Sequence, residues 1–399
     1  MDLQRLPKGF TEAKRTGKPL LVVLRCVPCL ACAGIDSAVL LQETELAPLL
    51  DKFVCVRVIN ANALDLSLFQ FDYDLSFSTL FFNGDGTVYG RYGSWKHQRD
   101  PQDKTTANYK AALEAALAIH HGYPANKASL AGKQGIATPY KTPIEIPGIA
   151  GKYELDLNWT GKVVQSCVHC HQIGEAFRET FRKSKQPMPS EMVYSWPGPE
   201  VLGLTLAPDS IAHVQAVSSG SVADKAGLRA GDDLLSLQGQ PLISVADLSW
   251  VLNRAPETGT LKAVVAESGS SITKSIELSS GWRSKADISR RVGTWGMRGM
   301  ATGGMVLEDV TDALRTEREL GTEKLALHVK SVGLYGKHAA AKNAGFKKDD
   351  VIVALDGLAD RMTEGQVLGY LLQKHFPGEK VKATVLRGQE KVELALPMQ

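Results

Sequence analysis

The chain has 399 residues, enough for about two to four domains, and its 44% apolar and 22% charged residues are ordinary for a folded soluble protein. A net charge of +3 provides no large basic field, so nucleic acid is not predicted as a partner. No uncharged apolar run approaches the roughly 18 residues that span a bilayer, so no membrane span is predicted.

Helix and strand patterns alternate along residues 1–122. The apolar run at 20–24 predicts a strand buried on both faces, and Asn83-Gly84-Asp85-Gly86 predicts a hairpin turn. In chain order the patterns predict a helix at 10–18, strands at 20–24, 53–59, 79–82 and 87–91, and a helix at 106–121.

Most of the cysteines are clustered, which indicates redox or metal chemistry and not a disulfide scaffold. The clusters are Cys26, Cys29 and Cys32, directly after the first strand, and Cys167 with Cys170. Cys55 stands alone in an apolar run and is interpreted as a small buried hydrophobic residue.

A strand that leads into a Cys-x-x-Cys motif, followed by further strands, a hairpin and a final helix, resembles the thioredoxin fold over about residues 5–122. In that family the first cysteine lies at a helix N-terminus, where the helix dipole stabilises a thiolate. The resemblance implies that Cys26 is the attacking thiolate and Cys29 the resolving thiol.

Some features depart from the thioredoxin pattern. Ser78 stands where the family has a cis-proline, and the strand at 19–24 lacks the family's buried acid. Cys32 adds a third thiol, so Cys26, Cys29 and Cys32 together could bind a soft metal such as copper. Thiol–disulfide exchange, metal binding and a degenerate structural fold are therefore the alternatives for this domain.

A proline- and glycine-rich stretch at 123–157 is predicted to be a linker, and the segment 158–199 follows it. That segment contains Cys167-Val168-His169-Cys170-His171, the pattern by which two thiols bind haem covalently while the next histidine ligates the iron. A short cytochrome-c-like segment with Cys167, Cys170 and His171 is predicted. The alternatives are a zinc or other metal site, a disulfide, or thiols without a role.

Haem iron needs a further axial ligand, and two methionines follow the motif. Met188 lies between two prolines and Met192 is four residues further on, so either thioether could be the sixth ligand. The alternative is that both methionines pack against apolar neighbours. Thioether attachment of haem takes place outside the cytoplasm, which predicts a periplasmic or otherwise exported protein, although the sequence from Met1 shows no signal peptide.

The run Ala226-Gly227-Leu228-Arg229-Ala230-Gly231-Asp232 and its flanking strands resemble a PDZ domain of the bacterial periplasmic type, over 200–281. PDZ domains bind an extended peptide as an added strand. The resemblance implies that Leu202, Gly203 and Leu204 form the loop that binds the terminal carboxylate of a protein or peptide partner. A weaker copy around Ala344-Gly345-Phe346 predicts a second PDZ-like domain at 321–399.

No carboxylate loop is evident for the second copy. The glycine- and methionine-rich stretch at 295–305 is interpreted as part of a flexible connector that spans 282–320.

The predicted fold class is therefore multi-domain, α/β plus α+β, with a thioredoxin fold, a cytochrome-c-like segment and two PDZ-like, partly open β-barrels. This order of domains resembles thioredoxin/PDZ-domain proteins of bacteria. One hypothesis is an exported thiol-redox and electron-transfer protein that binds a redox partner through its PDZ domains. The other is a non-enzymatic metal-binding or scaffold protein with a degenerate thioredoxin fold.

Overall fold

The computed structural model describes residues 6–25, 46–75, 77–93, 106–267 and 269–399. The chain divides into a first unit, Met1–Ile173 with Trp196–Trp282, and a second unit, Gly174–Ser195 with Arg283–Gln399. No helix within the described ranges is both long and apolar enough to cross a membrane.

The first unit begins with a four-stranded sheet that confirms the predicted alternation of helices and strands. Its elements are α1 (Leu6–Thr16), β1 (Leu20–Arg25), α2 (Ala47–Leu50), β2 (Val54–Val58), β3 (Phe77–Phe82), β4 (Val88–Tyr92) and α3 (Ala107–His121). The strand order is β2-β1-β3-β4, with β1 parallel to β2 and antiparallel to β3. Strand β4 is therefore an edge strand of this sheet.

Strand β1 is the centre of the core because both of its faces are apolar. Leu21 and Val23 pack with Leu113 of α3, whereas the alternate residues Leu20 and Val22 pack on the α1 side. This two-sided burial explains the continuous apolar run in the sequence. The prediction that Cys55 is buried was wrong, because Cys55 is exposed on the outer strand β2.

The prediction of a linker at 123–157 was also wrong. This stretch includes short 3₁₀ helices at Lys127–Lys133 and Pro143–Glu145, and it buries Leu130 and Ile146 completely. Proline and glycine disfavour long helices and strands but do not prevent packing. The stretch is therefore an integral part of the first unit.

The segment 158–199 contains a 3₁₀ helix at Val163–Ser166 and the helices α4 (Cys170–Lys183) and α5 (Ser190–Val193). Helix α4 starts at Cys170, the second cysteine of the motif. The cytochrome-c-like character of this segment stays a prediction.

The part of the first unit that resembles a PDZ domain has strands on both sides of the run at 226–232, as the resemblance implied. Its elements are β5 (Leu204–Leu206), β6 (Val214–Val217), α6 (Val222–Lys225), β7 (Asp233–Leu237), β8 (Gln240–Pro241), α7 (Val245–Arg254), β9 (Gly259–Glu267) and β10 (Ser270–Leu278). Strands β10-β9-β7-β8 form one sheet, and β5 and β6 form another. Ser244 caps α7 by accepting the Ala246 N–H.

The second unit has one five-stranded antiparallel sheet, ordered β11-β12-β13-β14-β15. Its elements beyond residue 290 are α8 (Val292–Ala301), β11 (Val306–Asp309), α9 (Asp312–Glu317), β12 (Leu327–Ser331), α10 (Ala340–Asn343), β13 (Val351–Leu355), α11 (Glu364–Lys374), β14 (Lys380–Arg387) and β15 (Glu390–Pro397). Apart from α9, which lies between β11 and β12, and the short strand β8, which has no counterpart here, two strands, a short helix, a strand, a long helix and a final hairpin follow each other as in residues 204–278.

The stretch 282–320 is not a flexible connector. It contributes α8, β11 and α9 to the second unit, and it buries Met297, Met300 and Met305. Arg315 of α9 is completely buried and donates to the carbonyl oxygens of Val310 and Lys324 at 2.9 and 2.6 Å. The glycines of this stretch permit close packing, which composition alone does not distinguish from flexibility.

Candidate functional site

The loop before β5 has the backbone conformation that only glycine adopts readily. A 3₁₀ helix at Pro199–Leu202 ends at Gly203, whose φ is 85°. The Gly203 N–H donates to the Glu200 oxygen at 2.9 Å, and the Gly203 oxygen accepts the Ser218 N–H at 2.8 Å. A Cβ at this glycine would overlap the side chain of Ser221. The loop is therefore fixed on both sides and has no room for another residue type.

Strand β5 has an open edge. Among the described residues it pairs only with β6, with Thr205 opposite Ala216. Hydrogen bonds alternate along an antiparallel pair, so the backbone groups of Leu204 and Leu206 point away from β6. The side chains of Leu202 and Leu204 are buried. The structure thus brings Leu202, Gly203 and Leu204 together at the start of a strand whose outer edge can accept another strand.

The second unit contains an equivalent loop, which no pattern in the sequence had indicated. Gly304 has a φ of 87°, and its oxygen accepts the Gly333 N–H at 3.1 Å, as the Gly203 oxygen accepts the Ser218 N–H. Gly303, Gly304 and Met305 therefore correspond to Leu202, Gly203 and Leu204. The signal in the sequence was a glycine followed by apolar residues directly before a strand, within a stretch interpreted as a connector.

The pairing of the following strands fixes this correspondence. Leu307 pairs with Val329 in the second unit, as Leu206 pairs with Val214 in the first. The Val329 N–H donates to the backbone oxygen of Asp350 at 2.8 Å. In the same way, the Val214 N–H donates to the backbone oxygen of Asp232 at 2.8 Å. Leu307 and Leu206 are therefore equivalent residues.

Helix α7 is attached to the edge strand β4 by buried polar contacts. The Arg91 N–H donates to Asp247 Oδ1 at 2.9 Å, and the Ser244 hydroxyl donates to the Arg91 oxygen at 2.5 Å. Lys133 Nζ lies 2.5 Å from Asp247 Oδ2, and both side chains are almost completely buried. We call Arg91, Lys133 and Asp247 the Asp247 cluster.

The Asp247 cluster has two cationic side chains and one carboxylate. Arg91 Nε donates to the Gln70 oxygen at 2.6 Å, and the guanidinium lies 3.7 Å from the centre of the Trp250 ring. Burial lowers the pKa of Arg91 to about 10, and it also lowers the pKa of Lys133, although Asp247 opposes both shifts. Asp247 therefore forms an ion pair with Lys133, and its charge also favours the charged form of the Arg91 guanidinium.

The thiols that the sequence assigns to the first motif, Cys26, Cys29 and Cys32, lie outside the described residues. The second motif is described, and it packs against the thioredoxin-like sheet. Cys167 is 1% exposed, and its Sγ lies 3.8 Å from the Ile59 oxygen, just beyond the end of β2.

Asn62 anchors this motif. Its side-chain oxygen accepts the Val168 N–H at 2.7 Å, and its amide nitrogen donates to the Glu154 and Ser166 oxygens at 2.7 and 2.8 Å. Asn62 is completely buried. No pattern in the sequence identified this residue, because its partners are remote along the chain.

Cys167 lies near the C-terminal ends of strands β1 and β2. Strands β1 and β2 are parallel, with Leu24 opposite Val58, so both strands finish at the same end of the sheet. Arg25 is the last residue of β1 and directly precedes Cys26 in the sequence. Ser78 of β3 lies opposite Leu24, and its buried hydroxyl has no hydrogen-bond partner within the described ranges.

The described arrangement does not fit a haem on Cys167. The sulfur is enclosed and the next residue, Val168, is completely buried, so a macrocycle would have to displace the surrounding side chains. Met188 is buried, and its N–H donates to the Leu372 oxygen at 3.2 Å. This burial agrees with the alternative that Met188 packs against apolar neighbours.

A closed zinc site is not formed by the described residues either. Within the ranges that the structure describes, no group of three or more histidine, cysteine, aspartate or glutamate side chains is placed to hold a metal ion. Cys170 packs beside the apolar cluster on the α1 side, and the rings of His169 and His171 are 5.7 Å apart. Haem, zinc and copper stay predictions for this chain.

Two parts of the chain match known families. Residues 2–84 match the thioredoxin-like family, and residues 193–266 match the PDZ domain family. The chain therefore has a thioredoxin-like domain and a PDZ domain. None of the curated proteins compared with the chain matches it significantly.

Solved structures of a protease resemble part of the chain. Two structures, titled HtrA-type protease AlgWS227A with decapeptide and HtrA-type protease AlgW with decapeptide, share 20% and 21% identity with it. Their TM-scores are 0.23 and 0.22, over 35% of this chain and 40% of theirs. A structure of the same protease with a tripeptide shares 15% identity over 35% of this chain and 52% of its own, with a TM-score of 0.20. The matched region thus covers about half or less of those proteases.

Proposed function

We propose that this protein binds extended C-terminal segments of protein partners along the open edge of β5. The observation that carries the proposal is the fixed glycine loop at 202–204, which leads into a strand with outward-pointing backbone groups. The terminal carboxylate of the partner accepts N–H groups of the loop, and the preceding residues pair with β5 as an added strand. The match of residues 193–266 to PDZ domains supports this assignment.

The Asp247 cluster supports the proposal because it restrains a wall of the proposed groove. PDZ ligands lie between the strand that follows the carboxylate loop and the long helix, which here is α7. The N-terminal end of α7 is attached to β4 through Ser244 and Asp247. A rigid helix lowers the entropy that is lost when a peptide binds.

Amidation of the peptide C-terminus is expected to weaken binding at least about tenfold, because it removes the charge and one acceptor oxygen that the loop would recognise. The ligands are fluorescent decapeptides of randomised sequence with an apolar C-terminal residue, because Leu202 and Leu204 line the loop with buried aliphatic side chains. Fluorescence anisotropy compares the free-acid pool with the same pool amidated. Equal affinity for the two pools, or no binding of either, would contradict the proposal.

We further propose that residues 292–397 form a second PDZ-like module. Support comes from the same order of elements and from the matching loops at Gly203 and Gly304, with φ values of 85° and 87°. The turns before the long helices also match, since Gln238 and Asp356 have φ values of 51° and 52°. The proposed module thus begins at residue 292, whereas the sequence pattern predicted a start at residue 321.

Thiol–disulfide exchange at Cys26 and Cys29 is the second function that we propose, outside the cytoplasm, where partner disulfides persist. The Cys26 thiolate attacks a partner disulfide to form a mixed disulfide, and Cys29 then displaces the partner as a dithiol, leaving Cys26 and Cys29 joined. The observation that favours it is the position of Cys167 at the sheet edge where β1 ends, directly before Cys26 in the sequence.

Replacing Cys26 with Ser is expected to abolish the protein's acceleration of insulin reduction by dithiothreitol, because the attacking sulfur is lost. Cys55→Ser is the matched control and should retain the activity, since Cys55 is an exposed residue on β2 that is in neither motif. A parent protein without activity would contradict the exchange proposal. In that case stoichiometric Cu(I) binding that is lost in Cys29→Ser/Cys32→Ser would favour the metal-binding scaffold.

A further inference from the structure

We propose that the second unit holds a latent peptide-binding edge, strand β11, which is closed by the chain's own Glu364 and Arg298. This inference rests on the function proposed for β5, because it assigns the same kind of ligand, an extended peptide with a terminal carboxylate, to the equivalent strand. The observations that carry it are the contacts of Leu307, Glu364 and Arg298, all within the second unit.

The first contact uses the backbone group that an added strand would need. The Glu364 carboxylate accepts the Leu307 N–H at 2.9 Å. Leu307 is equivalent to Leu206, whose N–H points away from β6 at the open edge of the first module. Glu364 therefore occupies the place at which the carbonyl oxygen of an added strand would accept this N–H.

The second contact holds Glu364 in this position. Arg298 of α8 donates to both carboxylate oxygens, from Nε at 2.8 Å and from Nη2 at 2.6 Å. The Glu364 side chain is 3% exposed and the Arg298 side chain 13%. A paired arginine and carboxylate that are shielded from water interact more strongly than an exposed pair. We call this bidentate ion pair the Arg298–Glu364 clamp, and it closes the β11 edge.

Local structure also fixes the position of Glu364. It is the first residue of α11 and follows Thr363, which accepts the Gln366 N–H, while the Gln366 side chain accepts the Thr363 N–H. A carboxylate in the first turn of a helix is stabilised by the helix dipole. The clamp is thus built on a capped helix end and not on a loop.

The first module lacks the clamp because its equivalent residue is apolar. Val245 is the first residue of α7 and follows the capping residue Ser244, as Glu364 follows Thr363. A valine side chain has no acceptor for the Leu206 N–H. The difference between an open and a closed edge therefore depends on one position at the start of the long helix.

The test counts the peptides bound by the full chain. The ligand is the free-acid decapeptide pool, and isothermal titration gives the number of sites. We expect one site in the wild type and two in Arg298→Met/Glu364→Val, which removes both charges of the clamp and leaves neither unpaired. In the background of Gly203→Ala, which weakens the first site, we expect only that weakened site with the clamp and one additional site without it.

A matched control removes a different ion pair from the same strand. Glu308 of β11 and Lys330 of β12 form an exposed pair, so Lys330→Met/Glu308→Gln should leave one site. The inference is overturned if the wild type binds two peptides, or if the clamp variant still binds one. If neither the wild type nor the clamp variant binds any peptide, the proposed function itself fails.

Amide hydrogen exchange provides a measurement that needs no variant. The Leu307 N–H is bonded to a buried carboxylate, whereas the Leu206 N–H faces an open edge. We expect the Leu307 amide to exchange at least about tenfold more slowly than the Leu206 amide in the peptide-free protein. Equal exchange of the two amides would overturn the inference even if the clamp variant did not fold.

Discussion

Replacement of Asp247 by Asn is expected to destabilise the first unit by about 3–5 kcal/mol, because it removes the carboxylate that forms an ion pair with the buried Lys133 ammonium and accepts the Arg91 backbone N–H. An amide retains an oxygen for the Arg91 N–H but carries no charge. Burial already lowers the pKa of both cations, so each is costly to keep charged without an anion. The loss is measured as a shift of the urea unfolding midpoint, followed by tryptophan fluorescence.

Asp233→Asn is the matched control for this prediction. Asp233 also pairs with a basic side chain, His213 at 2.7 Å, but its side chain is 57% exposed. Exposed pairs contribute about 0–1 kcal/mol, so the control should shift the midpoint little. A similar shift in both variants would mean that the Asp247 cluster is not an important source of stability.

A double variant separates the ion pair from the rest of the cluster. Lys133→Met/Asp247→Asn removes both the ammonium group and its partner carboxylate. We expect it to be more stable than Asp247→Asn alone by more than about 1 kcal/mol, because no lysine is then left buried without an anion. If the two substitutions were simply additive, the pair would not be energetically coupled.

Replacement of Gly203 by Ala is expected to weaken peptide binding at least about tenfold, which corresponds to about 1.4 kcal/mol. Alanine at a φ of 85° is strained by about 1–2 kcal/mol, and its Cβ overlaps the Ser221 side chain. The loop must therefore shift, and it carries the N–H groups proposed to bind the carboxylate. Fluorescence anisotropy with the free-acid decapeptide pool measures the loss.

Gly220→Ala is the matched control for the loop. Gly220 also has a positive φ, 72°, but nothing lies within 4 Å of the position that a Cβ would occupy. It should lose about 1–2 kcal/mol of stability through backbone strain and keep the parent affinity. If Gly220→Ala weakened peptide binding as much as Gly203→Ala, general destabilisation and not the loop would explain the effect.

The sequence by itself determined the regular elements and the places where the chain turns. Strand β1 could be predicted because five apolar residues in succession require burial on both faces. The Gly203 loop could be predicted because a glycine between apolar residues at the start of a strand matches the PDZ pattern. Both features depend on neighbours in the chain, so periodicity and local residue type were sufficient.

Only the tertiary structure decided how the remote parts of the chain are joined and which edge is open. Lys133 and Asp247 are 114 residues apart, Val168 and Asn62 are 106 apart, and Leu307 and Glu364 are 57 apart. A charged or polar residue is buried only where a partner compensates its loss of water, and no local pattern identifies that partner. The open β5 edge and the closed β11 edge therefore became distinguishable only when Val245 and Glu364 were located at the starts of their helices.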